Sequence, residues 1–194
     1  MAKLYFNYSA MNAGKSTALL QASFNYRERG MRTLVFTAAV DDRVAKRLVP
    51  SRIGLRGDAL VYDASVDLHR AIEAEHKASP VACVFVDESH MMEKAHVYQL
   101  ARVVDELSIP VMCYGLRSSF KGELFESTAA LLALADEINE LKTICFCGAK
   151  ATMNLRIDRE GRAVREGATI EIGGDDRYTT LCRKHFFERF NADA

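Results

Sequence analysis

The chain has 194 residues and a mass of 21.7 kDa, room for one full domain with a small appendage. Lys+Arg and Asp+Glu both number 26, and that balance argues against a protein that works on the phosphate backbone of nucleic acid or on an anionic membrane surface. Hydrophobic residues make up 49% of the sequence, enough for a core that needs no disulfides, and no apolar run approaches the length of a membrane span.

The elements alternate along the chain. Residues 3–8 form a short β-prone run, and residues 15–29 read as a helix that stops at Gly30, just past its end. Residues 32–37 read as a second strand, residues 38–57 as a loop without a clear period, and residues 59–62 as a short strand. A helix over 66–78 precedes Val81-Ala82-Cys83-Val84-Phe85-Val86, a continuous apolar run of the fully buried kind. Val97, Leu100, Ala101, Val104 and Leu107 recur at helical spacing within residues 93–107, a buried-type strand follows at 110–114, and a helix at 124–135 leads to a weak strand near 138–141. This succession predicts an α/β fold: a mostly parallel sheet with helices on both faces. The pattern breaks near Lys142, so residues 1–142 form one domain and residues 143–194 a small second lobe. The N-terminus lacks the long apolar stretch of a signal peptide, so a soluble, cytoplasmic protein is expected.

The strongest local signal is Ser9-Ala10-Met11-Asn12-Ala13-Gly14-Lys15-Ser16. It lies between a strand and a helix, the context that a phosphate-binding loop requires. Small residues let the backbone curl so that successive N–H groups and the helix N-terminus face an anion. Lys15 would reach the β- and γ-phosphates of a nucleotide, and Ser16 would ligate Mg²⁺. Ser9 stands where the motif's first glycine usually does, and requires a negative φ there.

Asp87-Glu88 ends the most buried strand run. An acidic residue in that place is the second half of an NTPase site, and Asp87 is assigned to Mg²⁺. Adjacent side chains of an extended segment point to opposite faces, so Glu88 would face a second substrate, where a carboxylate can take a proton from an attacking hydroxyl. The competing role for Glu88 is to cap the helix that follows. Asp87-Glu88-Ser89-His90 also reads like the acidic box of nucleic-acid helicases, but those enzymes need two motor domains and this chain has room for one.

Cys145 and Cys147 are separated by 34 residues from the pair Cys182 and His185. Two such pairs flanking a hairpin make a Cys₃His structural zinc site. The metal would close the neck of a loop, a good lid for a substrate. Cys83 and Cys113, each inside an apolar run, read as small buried residues.

Taken together and in order, these markers resemble the type II thymidine kinase family, in its bacterial form, over almost the whole chain. The further matching points are Asp41-Asp42-Arg43, Tyr114-Gly115-Leu116-Arg117 through Phe120, Ile172-Gly173-Gly174 and Tyr178. The resemblance implies transfer of the γ-phosphoryl of ATP to the 5′-hydroxyl of thymidine or deoxyuridine. It implies a P-loop NTPase-like α/β domain joined to a small zinc-binding domain whose lasso loop covers the base. It also implies a homotetramer and feedback inhibition by dTTP. By the same resemblance Glu88 is the catalytic base, and Ser9, Ala10, Met11, Asn12, Ala13, Gly14, Lys15 and Ser16 form the ATP loop with Asp87, Glu88, Ser89 and His90 opposite. Asp41 and Arg43 lie beside the phosphates. Met11, Phe120, Thr169, Ile170, Glu171, Ile172, Gly173 and Tyr178 contact the nucleoside, and Cys145, Cys147, Cys182 and His185 hold zinc. After Asp87-Glu88 the family often has Gln followed by aromatics, whereas here Ser89-His90-Met91-Met92 follows. His90 could donate there to a phosphate or to metal-bound water. A zinc-bearing NTPase acting on nucleic acid and a non-catalytic ATP-binding regulator are the competing readings.

Overall fold

The structure, a computed structural model, describes residues 1–39, 48–50, 56–169 and 177–192. Its centre is a sheet of six parallel strands in the order β5-β2-β6-β7-β1-β8. These are β1 (Leu4–Ser9), β2 (Thr33–Ala38), β5 (Leu60–Tyr62), β6 (Cys83–Val86), β7 (Val111–Leu116) and β8 (Glu137–Glu140). Between β2 and β5 the chain forms an antiparallel ribbon of β3 (Leu48–Pro50) and β4 (Arg56–Asp58). The sequence reading expected only loop there, because three-residue strands carry no period to detect.

Every strand of the sheet runs parallel to its neighbours, so each crossover passes over a face, and helices cover both. On one face α1 (Lys15–Glu28) packs Leu19 and Leu20 against Val35, Cys83, Phe85 and Tyr114. On the other, α2 (Leu68–Ala78), α3 (Lys94–Leu107) and α4 (Glu126–Leu134) pack Ile72, Leu100 and Leu131 against Phe6, Val84, Val86 and Val111. Strand β6 is buried on both faces, as its unbroken apolar run requires, and its side chains alternate between the two clusters. Cys83 and Cys113 are fully buried with thiols pushed up by burial, Cys83 to about 12. Both are inert packing residues.

Residues beyond β8 form two further ribbons: β9 (Thr143–Ile144) with β10 (Lys150–Ala151), and β11 (Met153–Arg156) with β12 (Tyr178–Leu181). The last helix, α5 (Arg183–Asn191), lays Phe186 onto Met153, Leu155 and Leu181. No helix among the described residues is long and apolar enough to cross a membrane.

Candidate active site

Strand β1 ends at Ser9, and the chain then turns through positive φ at Asn12 (61°) and Gly14 (77°) before α1 begins at Lys15. Ser9 keeps the negative φ that its side chain demands, and the left-handed positions fall on asparagine and glycine, which tolerate them. A Cβ at Gly14 would meet nothing within 4 Å, so glycine is needed there for its backbone conformation. No side chain caps α1, and its first turn carries no acidic residue. The N-terminal amides of α1 and the positive end of its dipole are thus left for an external anion. The Lys15 ammonium donates to Ser9 Oγ at 3.3 Å and to the Ala10 carbonyl at 3.4 Å, which folds it back over the loop.

The second acidic half of the site arrives from β6. Ser16 Oγ donates to Asp87 Oδ2 at 2.9 Å, so the buried Asp87 carboxylate stands against the first turn of α1. Its other oxygen accepts the Glu88 N–H at 3.0 Å. Burial and the neighbouring Glu88 charge hold the Asp87 carboxyl well above the usual range, against the pull of Ser16, the Glu88 amide and Lys15. A cation placed here would offset that cost.

Glu88 is where the sequence reasoning is corrected. Simple strand alternation was expected to separate it from Asp87, yet the strand stops at Val86 and Glu88 adopts a left-handed conformation, φ 51° and ψ 38°. That turn, not a pleat, separates the two carboxylates. Such a conformation in a non-glycine residue persists only where the surroundings enforce it. Here the Glu88 carbonyl accepts from the Met91 N–H at 2.8 Å and from the Tyr62 hydroxyl at 3.1 Å. The same hydroxyl reaches the Asp87 carbonyl at 3.4 Å. Glu88 stands at the N-cap of the 3₁₀ turn Ser89–Met91, but its side chain makes no capping hydrogen bond. The helix-cap alternative therefore finds no support. Tyr62, at the end of β5, was not anticipated, since nothing local in a short strand signals a hydroxyl aimed across two strands.

Ser89 and His90 are buried beneath this turn. His90 Nδ1 accepts the Leu116 N–H at 3.3 Å, which fixes the ring as the neutral Nε2–H tautomer, and the ring packs on Phe125 at 4.9 Å. Nδ1 lies 3.7 Å from a Glu88 oxygen. With its lone pair already used, this nitrogen cannot donate to the carboxylate, so the contact is not an ion pair. Burial lowers the His90 pKa to about 4, against the opposing pull of Glu88. Strand β7 passes close under the turn at Gly115, where a Cβ would collide with Ser89 Oγ and sit 3.0 Å from the His90 backbone nitrogen.

Phe120 lies in the turn after β7, 2% exposed, with the Arg156 guanidinium 5.3 Å above its ring. That burial excludes a surface aromatic at this position. Tyr178 opens β12 and pairs in register with Arg156, so Phe120, Arg156 and Tyr178 gather where the small lobe meets the sheet. Thr169, the first of the expected lasso contacts, is exposed at the end of the described stretch. Asp41, Arg43, Ile170, Glu171, Ile172 and Gly173, all expected at the site, lie outside the described residues.

The Cys/His quartet does come together. Ligand atoms of Cys145, Cys147, Cys182 and His185 all lie within 4.8 Å of one another. His185 Nδ1 is 3.5 Å from the Cys145 sulfur and 3.3 Å from that of Cys182, and its Nε2 faces Glu188 at 3.7 Å. Burial pushes the Cys145 thiol up, but the Cys147 and Cys182 amides and the His185 ring outweigh it and bring the thiol down to about 6. A thiolate beside two further thiol sulfurs and an imidazole nitrogen in a tetrahedral-sized cluster fits zinc, and Glu188 would orient the imidazole. A tight turn with Gly148 at φ 81° lets the short Cys145-Phe146-Cys147 spacing work, with the Gly148 N–H donating to the Cys145 carbonyl at 2.9 Å.

A sequence model of the family described as Thymidine kinase matches residues 2–186. Curated proteins named Thymidine kinase align over nearly the full chain. The protein from Jannaschia sp. is 61% identical over 97% of this chain and 96% of its own length. That from Agrobacterium fabrum is 59% identical over 98% and 99%, and that from Escherichia coli K12 is 54% identical over 100% and 95%. Among solved structures, the Pif1 helicase of Candida albicans overlaps 74% of this chain and 36% of its own at a TM-score of 0.45 and 15% identity, a likeness too slight to bear on function. A family match over almost every residue, and relatives above half identity along their full length, leave no room for the helicase alternative: the chain belongs to the thymidine kinase family.

Proposed function

We propose that Glu88 is the general base of the thymidine kinase reaction, in which the γ-phosphoryl of ATP passes to the 5′-hydroxyl of thymidine. The observation that carries this reading is the hydrogen bond from Ser16 to Asp87, 2.9 Å, which joins the phosphate loop to the acidic turn. Phosphoryl transfer asks chiefly for positioning and for charge neutralisation, and the protein's covalent part is small. The amides of residues 12–16 and the N-terminus of α1 cradle the phosphates, the Met11 amide being already bonded to Asn154. Lys15 swings from Ser9 and Ala10 to the β- and γ-phosphates. Ser16 and Asp87 hold the Mg²⁺ that accompanies ATP, which when bound neutralises the phosphate oxygens. Asp41 and Arg43 flank the phosphates, and Ser89 and His90 support the turn from below. Glu88, held in its left-handed turn by Tyr62 and Met91, accepts the proton of the 5′-hydroxyl as the new O–P bond forms.

Residues 1–142 supply this ATP side, and residues 143–194 form the zinc-binding lobe. Met11, Phe120, Tyr178 and the stretch Thr169, Ile170, Glu171, Ile172, Gly173 receive the nucleoside, with deoxyuridine as a second substrate. Cys145, Cys147, Cys182 and His185 hold a structural Zn²⁺. A cytoplasmic homotetramer inhibited by dTTP completes the reading, on the family resemblance alone.

The test replaces one atom of the base. Glu88→Gln keeps size and hydrogen-bonding capacity but cannot take the proton. With Mg-ATP and thymidine the expected loss in kcat is about 10²–10⁴-fold, with nucleotide binding retained. Full turnover by the folded variant would end the assignment.

A further inference from the structure

Asn154 lies in the middle of β11, in the small lobe, and is 2% exposed. Its amide spends both ends on segments remote in sequence. Oδ1 accepts the Met11 N–H at 2.7 Å, and Nδ2 donates to the Ser118 carbonyl at 3.2 Å. Two neighbouring bonds close the junction: the Arg117 N–H donates to the Ser9 carbonyl at 3.2 Å, and the Arg117 guanidinium to the Thr152 carbonyl at 3.1 Å. The phosphate loop, the turn after β7 and β11 are thereby stitched together.

We propose that Asn154 is a positioning residue for nucleoside binding: one planar amide sets the spacing between Met11 and the turn that carries Phe120. The inference rests on the reading that Met11 and Phe120 face the nucleoside. The chemistry demanded is narrow. One end must accept from an N–H and the other must donate to a carbonyl, so the two partners fix the orientation of the amide. Aspartate meets the first demand and sets an oxygen against the second. Leucine has the shape and meets neither. Burial removes water as a substitute partner, so an unmet group at this junction is costly.

The position also explains what the metal-binding lobe contributes to the phosphate loop. Asn154 pairs in register with Thr180, two residues before the zinc ligand candidate Cys182. Order at the Cys/His knot is passed along β12 to β11 and through Asn154 to Met11. The more distal loop residues Lys15 and Ser16 belong to α1 and owe nothing to this bond.

The experiment uses the full-length, zinc-replete protein and its Asn154→Leu and Asn154→Asp variants. Steady-state kinetics are measured against thymidine and ATP separately, alongside thermal melting and amide exchange at Met11. In both variants the thymidine KM is expected to rise about tenfold, the scale set by one or two lost hydrogen bonds. The ATP KM stays within about threefold, since α1 holds Lys15 and Ser16. Exchange at Met11 accelerates in Asn154→Leu and is unchanged in Asn154→Asp, which keeps the acceptor. If Asn154→Leu melts below assay temperature, Asn154→Asp carries the kinetic test. An unchanged thymidine KM in a folded variant overturns the proposal, as does a parallel rise of both KM values. Faster Met11 exchange with unchanged thymidine KM removes Met11 and Phe120 from the nucleoside side too, and leaves the Glu88 assignment to its own test.

Discussion

The sheet region and the small lobe are built on different physics. In the sheet region, Leu4, Phe6, Ile72, Val84, Val86, Leu100 and Val111 belong to one extended apolar cluster, and α1 seals a second on the opposite face. In the lobe the buried cluster comprises Cys145, Ala151, Met153, Leu155, Leu181 and Phe186, and one of these is itself a metal-ligand candidate. At about 25 cal/mol per Å² of apolar surface, so small a cluster cannot by itself offset the entropy of ordering the lobe. A structural zinc, worth about 10–16 kcal/mol in small zinc-binding peptides, can. The difference is instructive because each half of the site inherits it. The phosphate loop and the Asp87–Glu88 turn grow from strands that a full core fixes. The proposed nucleoside side lies on the ribbons of the lobe, which the structure ties to the sheet through bonds such as those of Asn154.

The largest effect that separates the regions is a cavity in each. Leu100, on α3, is fully buried, and Leu100→Ala is expected to lower global stability by about 2–5 kcal/mol. Leu155, on β11, is equally buried. In the zinc-loaded protein Leu155→Ala should move the global transition by less than about 1 kcal/mol, while raising protease sensitivity of the lobe once zinc is removed. Urea unfolding and limited proteolysis of both variants check this, and equal global losses would erase the distinction.

A smaller effect probes the floor of the Asp87–Glu88 turn. His90 is buried and neutral, with a pKa near 4 against 6.5 unperturbed. The unfolded chain therefore takes up a proton before the folded one does, so the stability tied to this histidine is complete above pH 6.5 and is lost as pH falls toward 4. At pH 5 the loss should be about 2 kcal/mol. Glu88, in the same turn, pulls the other way, and Lys15 at the start of α1 adds to the shift. Thermal melting of wild type and His90→Gln between pH 7 and 5 should show the wild type losing more. Parallel melting curves would mean that His90 titrates normally.

What could be read from the sequence follows from how local each signal is. The phosphate loop was legible because Gly14, Lys15 and Ser16 carry its chemistry within a single turn, and the structure adds only that Asn12 shares the left-handed strain. The parallel sheet was legible because β6 and β7 are buried on both faces and show it as unbroken apolar runs. The Cys/His quartet was legible from spacing, although nothing in the spacing required Gly148 to make the short pair work. The separation of Glu88 from Asp87 was expected from strand alternation and comes instead from a left-handed turn, because a left-handed residue after a strand leaves no periodic trace. Tyr62 and Asn154 were not legible at all. Their hydroxyl and amide act across 26 and 143 residues of sequence, and a tyrosine in a short strand or an asparagine in a ribbon looks like any other. The ribbon of β3 and β4 was missed because three residues cannot display a period.

The account stands on the claim that one region holds ATP and the other holds the nucleoside, with zinc maintaining only the second. The direct measurement is binding of Mg-ADP and of thymidine, each titrated into wild type and into a Cys182→Ser variant whose zinc content has been determined. The account predicts that the variant loses zinc and at least about 100-fold in thymidine affinity, with Mg-ADP affinity within about threefold of wild type, because Lys15, Ser16 and Asp87 rest on the sheet. Equal loss of both ligands from a variant whose sheet remains folded would contradict it.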